Sequence, residues 1–199
     1  MHSRSAGLAG TIRRPGFVVY LRAPRIADAP EFIAATKASR RLHGAWVQPP
    51  SIPDRFKAFV HRYGRFAGHD AQSATHVGLL VCRCADDAIV GVFNLGEIVH
   101  GQFQSAYVGY YAFVPHAGTG QMTEGLELLL HFAFRALKLH RVEANIQPRN
   151  RRSLALVRHA GFVREGYSRR YVRVAGRWRD HVRMALLVED WRKARSKHA

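Results

Sequence analysis

The stretch from Ser105 to Leu139 limits the fold more than any other part of the sequence. Ser105 to Val114 reads S-A-Y-V-G-Y-Y-A-F-V, a run of aromatic and β-branched residues suited to a strand. Pro115 ends it, because proline has no N–H to give to a ladder. A loop carrying Gly118 and Gly120 follows, and from Thr123 to Leu139 the residues Leu126, Leu130, Ala133 and Leu137 recur at helical spacing. An amphipathic helix reached from a strand through a short loop needs a sheet to cover its apolar stripe.

The rest of the chain alternates in the same manner. Strands are predicted at Phe17 to Leu21, Thr75 to Cys82 and Ile89 to Leu95, the last entered through a turn at Asp86-Asp87. Helices are predicted at Ala29 to Arg41 and Asp54 to Phe66. After the long helix come a strand at Val142 to Ile146, a helix from Asn150 to Ala160 stopped by Gly161, and strands from Val163 onward with a turn at Ala175-Gly176. No internal repeat interrupts the series. The pattern predicts an α+β fold with a mostly antiparallel sheet and helices packed on it. A length of 199 residues suits one domain, expected over 17–191, with a loose tail over 1–16 and a charged, frayed one over 192–199.

Charge is the unusual property. Lys and Arg number 31 against 14 Asp and Glu, a formal net charge of +17, so the surface attracts polyanions. The most apolar run, Leu126 to Leu139, contains Glu127, His131, Arg135 and Lys138 and cannot serve as a bilayer span. The first residues lack the apolar core of a signal peptide, which points to a cytoplasmic protein with no membrane partner. Cys82 and Cys84 sit two apart on a predicted strand, a spacing awkward for a disulfide, and are expected as reduced thiols. The histidines lack metal-ligand spacing, so no metal is expected.

Two readings of the loop at 117–122 are open from its residues alone. It is a plain strand-to-helix turn, or its backbone N–H groups and the helix end behind them cradle a phosphate. The surrounding motifs bear on this choice. H-R-V-E-A-N-I-Q-P-R-N-R-R-S from His140, G-F-V-R-E-G-Y from Gly161 and G-R-W-R-D-H from Gly176 follow the loop and helix in an order that resembles the GNAT acetyltransferases, in particular their RimJ/RimL branch. Val90-Gly-Val-Phe-Asn94 and Tyr107-Val-Gly-Tyr-Tyr111 agree more loosely, and the similarity runs from about Val19 to Trp191.

The resemblance implies a GNAT fold, a mixed, mostly antiparallel sheet with splayed middle strands flanked by helices, and acetyl-CoA as cosubstrate. By the same carry-over Phe113 and Val114 meet the pantetheine arm, while the backbone of Ala117, Gly118, Thr119, Gly120, Gln121 and Met122 takes the pyrophosphate. The family's loop reads Q/R-x-x-G-x-G/A. Gly120 keeps the middle slot, and Ala117 and Met122 depart from the outer two. Asn150 is implied as a cofactor contact, although an N-cap alone would account for it. Many family members protonate the departing thiolate with a tyrosine at the slot of Val157, which valine cannot do; Ser153, one turn earlier, is the implied general acid.

The base is less defined. The family's glutamate slot holds Tyr107, a poor base at neutral pH that can still order a water, and Glu97 is the nearest acidic candidate. The third option is that the amine enters already neutral. Trp46 and Asn94 are expected at the acceptor mouth, and Asp180 either holds a structural contact or fixes the acceptor loop. Neither cysteine lies near the implied cleft, which argues for direct attack by the amine over a covalent enzyme intermediate.

The implied activity is N-acetylation of a protein or peptide amine, above all the N-terminal α-amine of a ribosomal protein. The alternative is a ribosome-associated assembly or regulatory factor that keeps the fold with weak or no catalysis. The arginines from Arg164 to Arg183, interleaved with Tyr167, Tyr171 and Trp178, are either a surface for rRNA or a general solubility feature.

Overall fold

Extended, β-branched segments assemble into one eight-stranded sheet in the computed structural model, which describes residues 11–44, 46–64 and 73–196. In chain order the elements are β1 (Thr11–Ile12), β2 (Val19–Arg22), a 3-10 turn (Ile26–Asp28), α1 (Ala29–Ala38), α2 (Arg40–His43), α3 (Pro53–Tyr63), β3 (Val77–Arg83), β4 (Ile89–Val99) and β5 (Ser105–Ala112). They continue with α4 (Gln121–Arg135), β6 (Arg141–Ile146), α5 (Arg151–His159), β7 (Val163–Val174), β8 (Arg177–Leu187) and α6 (Val188–Ser196). The sheet order is β1-β2-β3-β4-β5-β6-β8-β7, and only β5 and β6 run parallel. The architecture is the α+β arrangement that the sequence pattern predicts.

Two apolar layers cover the sheet. On one face Leu126, Leu129 and Ala133 of α4 pack with Val81, Phe93 and Val142, all fully buried, and Leu154 and Val157 of α5 join them. On the other face Phe32 of α1 and Phe56 and Phe59 of α3 surround Leu80, Val92 and Phe113. Side chains alternate along a strand, so each of β3, β4 and β5 serves both layers. Gly91 lets α4 start close to the sheet: a Cβ there would come within 2.6 Å of the Met122 Sδ.

Three expectations change. The predicted helix from Ala29 to Arg41 is broken at Ser39, which is fully buried and whose Oγ accepts from the Val114 N–H at 3.0 Å. Within the expected N-terminal tail, Thr11–Ile12 pairs with β2, and Arg14 bonds Glu127 of α4. Residues 1–10 lie outside the described residues, as do Arg65 and Phe66 at the end of the predicted second helix. The stretch from Arg192 to Ser196, expected to fray, is the second half of α6. Its Arg195 bonds Glu127 at 3.0 Å and lies over the Trp191 ring, and Trp191 packs on Phe134, so an apolar anchor holds the charged end. Residues 197–199 are outside the described residues.

Cys82 is buried and Cys84 exposed, both as free thiols. No described helix is long and apolar enough to cross a membrane. Among the described residues no group of three or more His, Cys, Asp or Glu is placed to hold a metal ion.

Candidate active site

β5 and β6 stay paired only over Ser105–Tyr107 against Arg141–Glu143, although both strands run on beyond that point. Their parting opens a cavity of about 950 Å³. Tyr110 to Ala112 of β5, the start of α5, the loop before α4, and α2 with Trp46 and Val47 line it. A gap between parted strands exposes backbone amides that a sheet would otherwise pair.

At the loop end the cavity is built for an anion. Gly118 and Gly120 have φ of +86° and +85°, which a residue with a Cβ adopts only at a cost, and a Cβ at either would meet open space. Among the described residues the N–H groups of Gly120, Gln121 and Met122 find no protein acceptor, and α4 begins with no side-chain cap. Those free donors and the positive end of a long helix point the same way. Arg41, Arg149, Arg151 and Arg152 line the cavity and no carboxylate does. Such an arrangement suits an anionic group such as a pyrophosphate. Thr119 lies outside the lining, its hydroxyl given to the His116 carbonyl at 2.7 Å, and Gln121 is outside it too.

Asn150 acts as the N-cap of α5, its side chain accepting from the Ser153 N–H at 3.2 Å, and it also lines the cavity. Ser153 Oγ donates to the Tyr110 phenol oxygen at 2.6 Å, and Tyr110 donates in turn to the Ser153 carbonyl at 2.9 Å. Burial pushes the Tyr110 pKa up, so the phenol keeps its proton at any physiological pH. Val157 is fully buried and belongs to the core.

The remaining predicted residues are dispersed. Phe113 is fully buried among α1 and α3 rings and Val114 is half-exposed; neither lines the cavity, and their N–H groups are taken by the Val90 carbonyl and by Ser39. Glu97 has φ +49° at an irregularity in the β4 ladder. Its side chain stands out toward Arg62 and His76, away from the cavity lining. The Tyr107 phenol is pushed up to about 12 by a hydrogen bond with Tyr171 and by burial, and it too lies outside the lining. Asn94 does not line the cavity, although its Oδ1 is buried without a partner. Trp46 lines the cavity. Asp180 holds a structural contact: it accepts from the Tyr167 hydroxyl at 2.7 Å and the Arg170 N–H at 2.8 Å, pinning the irregular stretch of β7.

Sequence reasoning missed Tyr110, Tyr111 and His43. His43 is buried at the cavity edge, with Nε2 on the Ala112 carbonyl at 2.9 Å, and burial pushes its pKa down, so it is neutral. The only sequence signal for Tyr110 is alternation along its strand, which places it on the α4–α5 face.

The profile of the acetyltransferase (GNAT) domain matches residues 19–163. Over 115 residues the chain is 40% identical to the probable N-acetyltransferase YjcK of Bacillus subtilis (strain 168), covering 58% of this chain and 62% of the relative. Over 127 residues it is 37% identical to the ribosomal protein uS5-alanine N-acetyltransferase of Escherichia coli (strain K12), covering 64% of each. The match thus spans less than two thirds of the length of these relatives. Among solved structures, Mycobacterium smegmatis RimJ in complex with CoA-disulfide superposes with a TM-score of 0.78 at 30% identity, covering 90% of this chain and 87% of that one. The chain belongs to the GNAT acetyltransferase family.

Proposed function

We propose that this protein transfers the acetyl group of acetyl-CoA to an amine, in first place the N-terminal α-amine of a ribosomal protein. The observation that carries the reading is a single cavity that joins the anion cradle before α4 to the Ser153–Tyr110 pair, across the parting of β5 and β6. The E. coli relative, which by its name acts on the alanine of uS5, supports the acceptor class.

Acetyl-CoA supplies a thioester whose carbonyl carbon an uncharged amine attacks, forming the C–N bond as the C–S bond breaks and CoA leaves as a thiolate. The residues of this chain bind and move protons. The loop from Ala117 to Met122 and the start of α4 hold the pyrophosphate, and the pantetheine arm runs along Tyr110 to Ala112, since the N–H groups of Phe113 and Val114 are engaged elsewhere. Ser153 passes its hydroxyl proton to the thiolate and takes the Tyr110 phenol proton in its place, and the proton shed by the acylated amine returns through water to the tyrosinate, a return that the raised pKa of Tyr110 favours.

On the amine side no strong base is required. At about pH 7.5 roughly a third of free α-amino groups are neutral, against about one lysine side chain in a thousand. With Glu97 turned toward Arg62 and His76, this difference favours an α-amine acceptor. The test is an acetyl-CoA turnover assay across peptides with different N-terminal residues, with ribosomes as a parallel substrate. Turnover on no peptide and on no ribosomal protein would refute the reading.

A ribosome-bound role receives separate support from the β7–β8 hairpin. Trp178 is 61% exposed and stands opposite Arg173, with Arg169, Arg170 and Arg177 nearby. The two acids of the hairpin are engaged, Glu165 by Arg141 and Asp180 by Tyr167 and Arg170, so they do not offset those cations locally. Exposed arginines beside an aromatic ring suit a polyanion such as rRNA. A factor acting only through this surface, without turnover, is the alternative that the peptide assay separates.

A further inference from the structure

Beside the main cavity lies a second one of about 370 Å³, lined by Trp46, Gln147, Arg149 and Arg179. It shares Trp46 and Arg149 with the main cavity but contains none of the glycine loop, the α4 start or Ser153. Two of its four lining residues are arginines and none is acidic. Neither arginine forms an ion pair among the described residues, and the Nε of Arg179 is shut off from solvent with no hydrogen-bond acceptor. A buried guanidinium donor left unpaired costs free energy, and the planar fork of arginine matches a carboxylate or phosphate.

We infer that this second cavity is a subsite for an anionic group of the acceptor, a carboxylate held between Arg179 and Arg149 against the Trp46 ring. The inference rests on the acetyltransferase reading for what an acceptor is. Its position follows from the shared wall: an amine that reaches Ser153 through the main cavity enters past Trp46, and the residues behind it lie over Arg149 and Arg179. Arg179 sits on β8 of the β7–β8 hairpin and outside the lining of the anion cradle, so its guanidinium is placed for the acceptor and not for the pyrophosphate. The chain therefore selects acceptors that carry an aspartate or glutamate a few residues behind the reacting amine.

The test uses C-terminally fluorescein-labelled hexapeptides with a free N-terminal alanine and one glutamate at position two, three or four, each with a glutamine twin. Binding is read by anisotropy with CoA present, and acetyl transfer is read in the same samples from acetyl-CoA. At one position the glutamate peptide binds at least about tenfold more tightly than its twin, the scale of one charge-assisted hydrogen bond. Arg179→Gln removes the difference, and Arg179→Glu reverses it so that the glutamine twin binds more tightly, with acetyl-CoA stabilisation of both variants showing that they fold. No glutamate preference at any position, or one that survives Arg179→Gln, overturns the inference. So does an Arg179→Gln protein that loses affinity for CoA but not for 3′-dephospho-CoA, because the anion would then be the cofactor's own phosphate. Glutamate-selective binding without acetyl transfer upholds the subsite and refutes the acetyltransferase reading instead.

Discussion

Tyr110→Phe isolates the proton relay, because it removes one oxygen and leaves the ring in place. The phenol makes two hydrogen bonds, accepting from Ser153 Oγ at 2.6 Å and donating to the Ser153 carbonyl at 2.9 Å. Each is worth about 1 kcal/mol net, and the serine hydroxyl can re-aim into the cavity, so the loss in stability is about 1–2 kcal/mol. For a chain of this size that lowers Tm by roughly 3–6 °C. The kinetic effect is larger. Without a phenol to resupply it, Ser153 is a poor acid, and kcat falls by about 10- to 100-fold while the Kd for acetyl-CoA is unchanged. Ser153→Ala lowers kcat by about 100-fold on the same argument. Two residues on one proton path are not independent, so the double variant is no slower than Ser153→Ala alone. The assay is thiol release under saturating peptide, with acetyl-CoA affinity measured separately. A wild-type kcat in Tyr110→Phe, or single effects that multiply in the double variant, would refute the relay.

Acetyl-CoA at about a hundred times its Kd stabilises the protein by about 2.7 kcal/mol, a shift of several degrees in a thermal melt, and Gly120→Asp abolishes that shift by setting a carboxylate in the anion cradle. Ribosome co-sedimentation weakens steeply as salt rises, and paired charge reversals at Arg169 and Arg173 reduce it while peptide acetylation persists; loss of both together would place these arginines in the active site. Burial raises the pKa of Tyr20, Tyr110 and Tyr111, that of Tyr20 to about 12. A group with a raised folded pKa contributes stability that is intact below its unfolded value and lost above it. Thermal melts are therefore level to about pH 9.5 and fall beyond about pH 10, and an unchanged Tm at about pH 11 would contradict that.

Much of the scaffold was legible because its signals are local. The leucine spacing of α4 and the glycine stop after α5 place those helices to within a few residues. Contacts distant in sequence were not. The break at Ser39 answers to Val114, 75 residues away, and the docking of α6 depends on Glu127 and Phe134 of α4. The site divides along the same line. The anion loop and Ser153 are carried by motif, whereas Tyr110 meets Ser153 across 43 residues, through a strand and a helix that only the fold brings together. Charge and nearness in sequence point to Glu97. The irregular ladder between Gly96 and Val99 and its left-handed backbone, which no composition rule reveals, turn it to the Arg62 side.

The central claim is tested most directly by counting both products of one reaction. Wild-type protein, acetyl-CoA and a peptide with a free N-terminal alanine and a blocked lysine are incubated together, and free thiol and acetylated peptide are quantified in parallel, the latter by mass spectrometry. The account predicts one N-terminally acetylated peptide for each thiol released, with both rates falling together in Ser153→Ala. Thiol release that leaves the peptide unmodified, or tight acetyl-CoA binding with neither product, would contradict it.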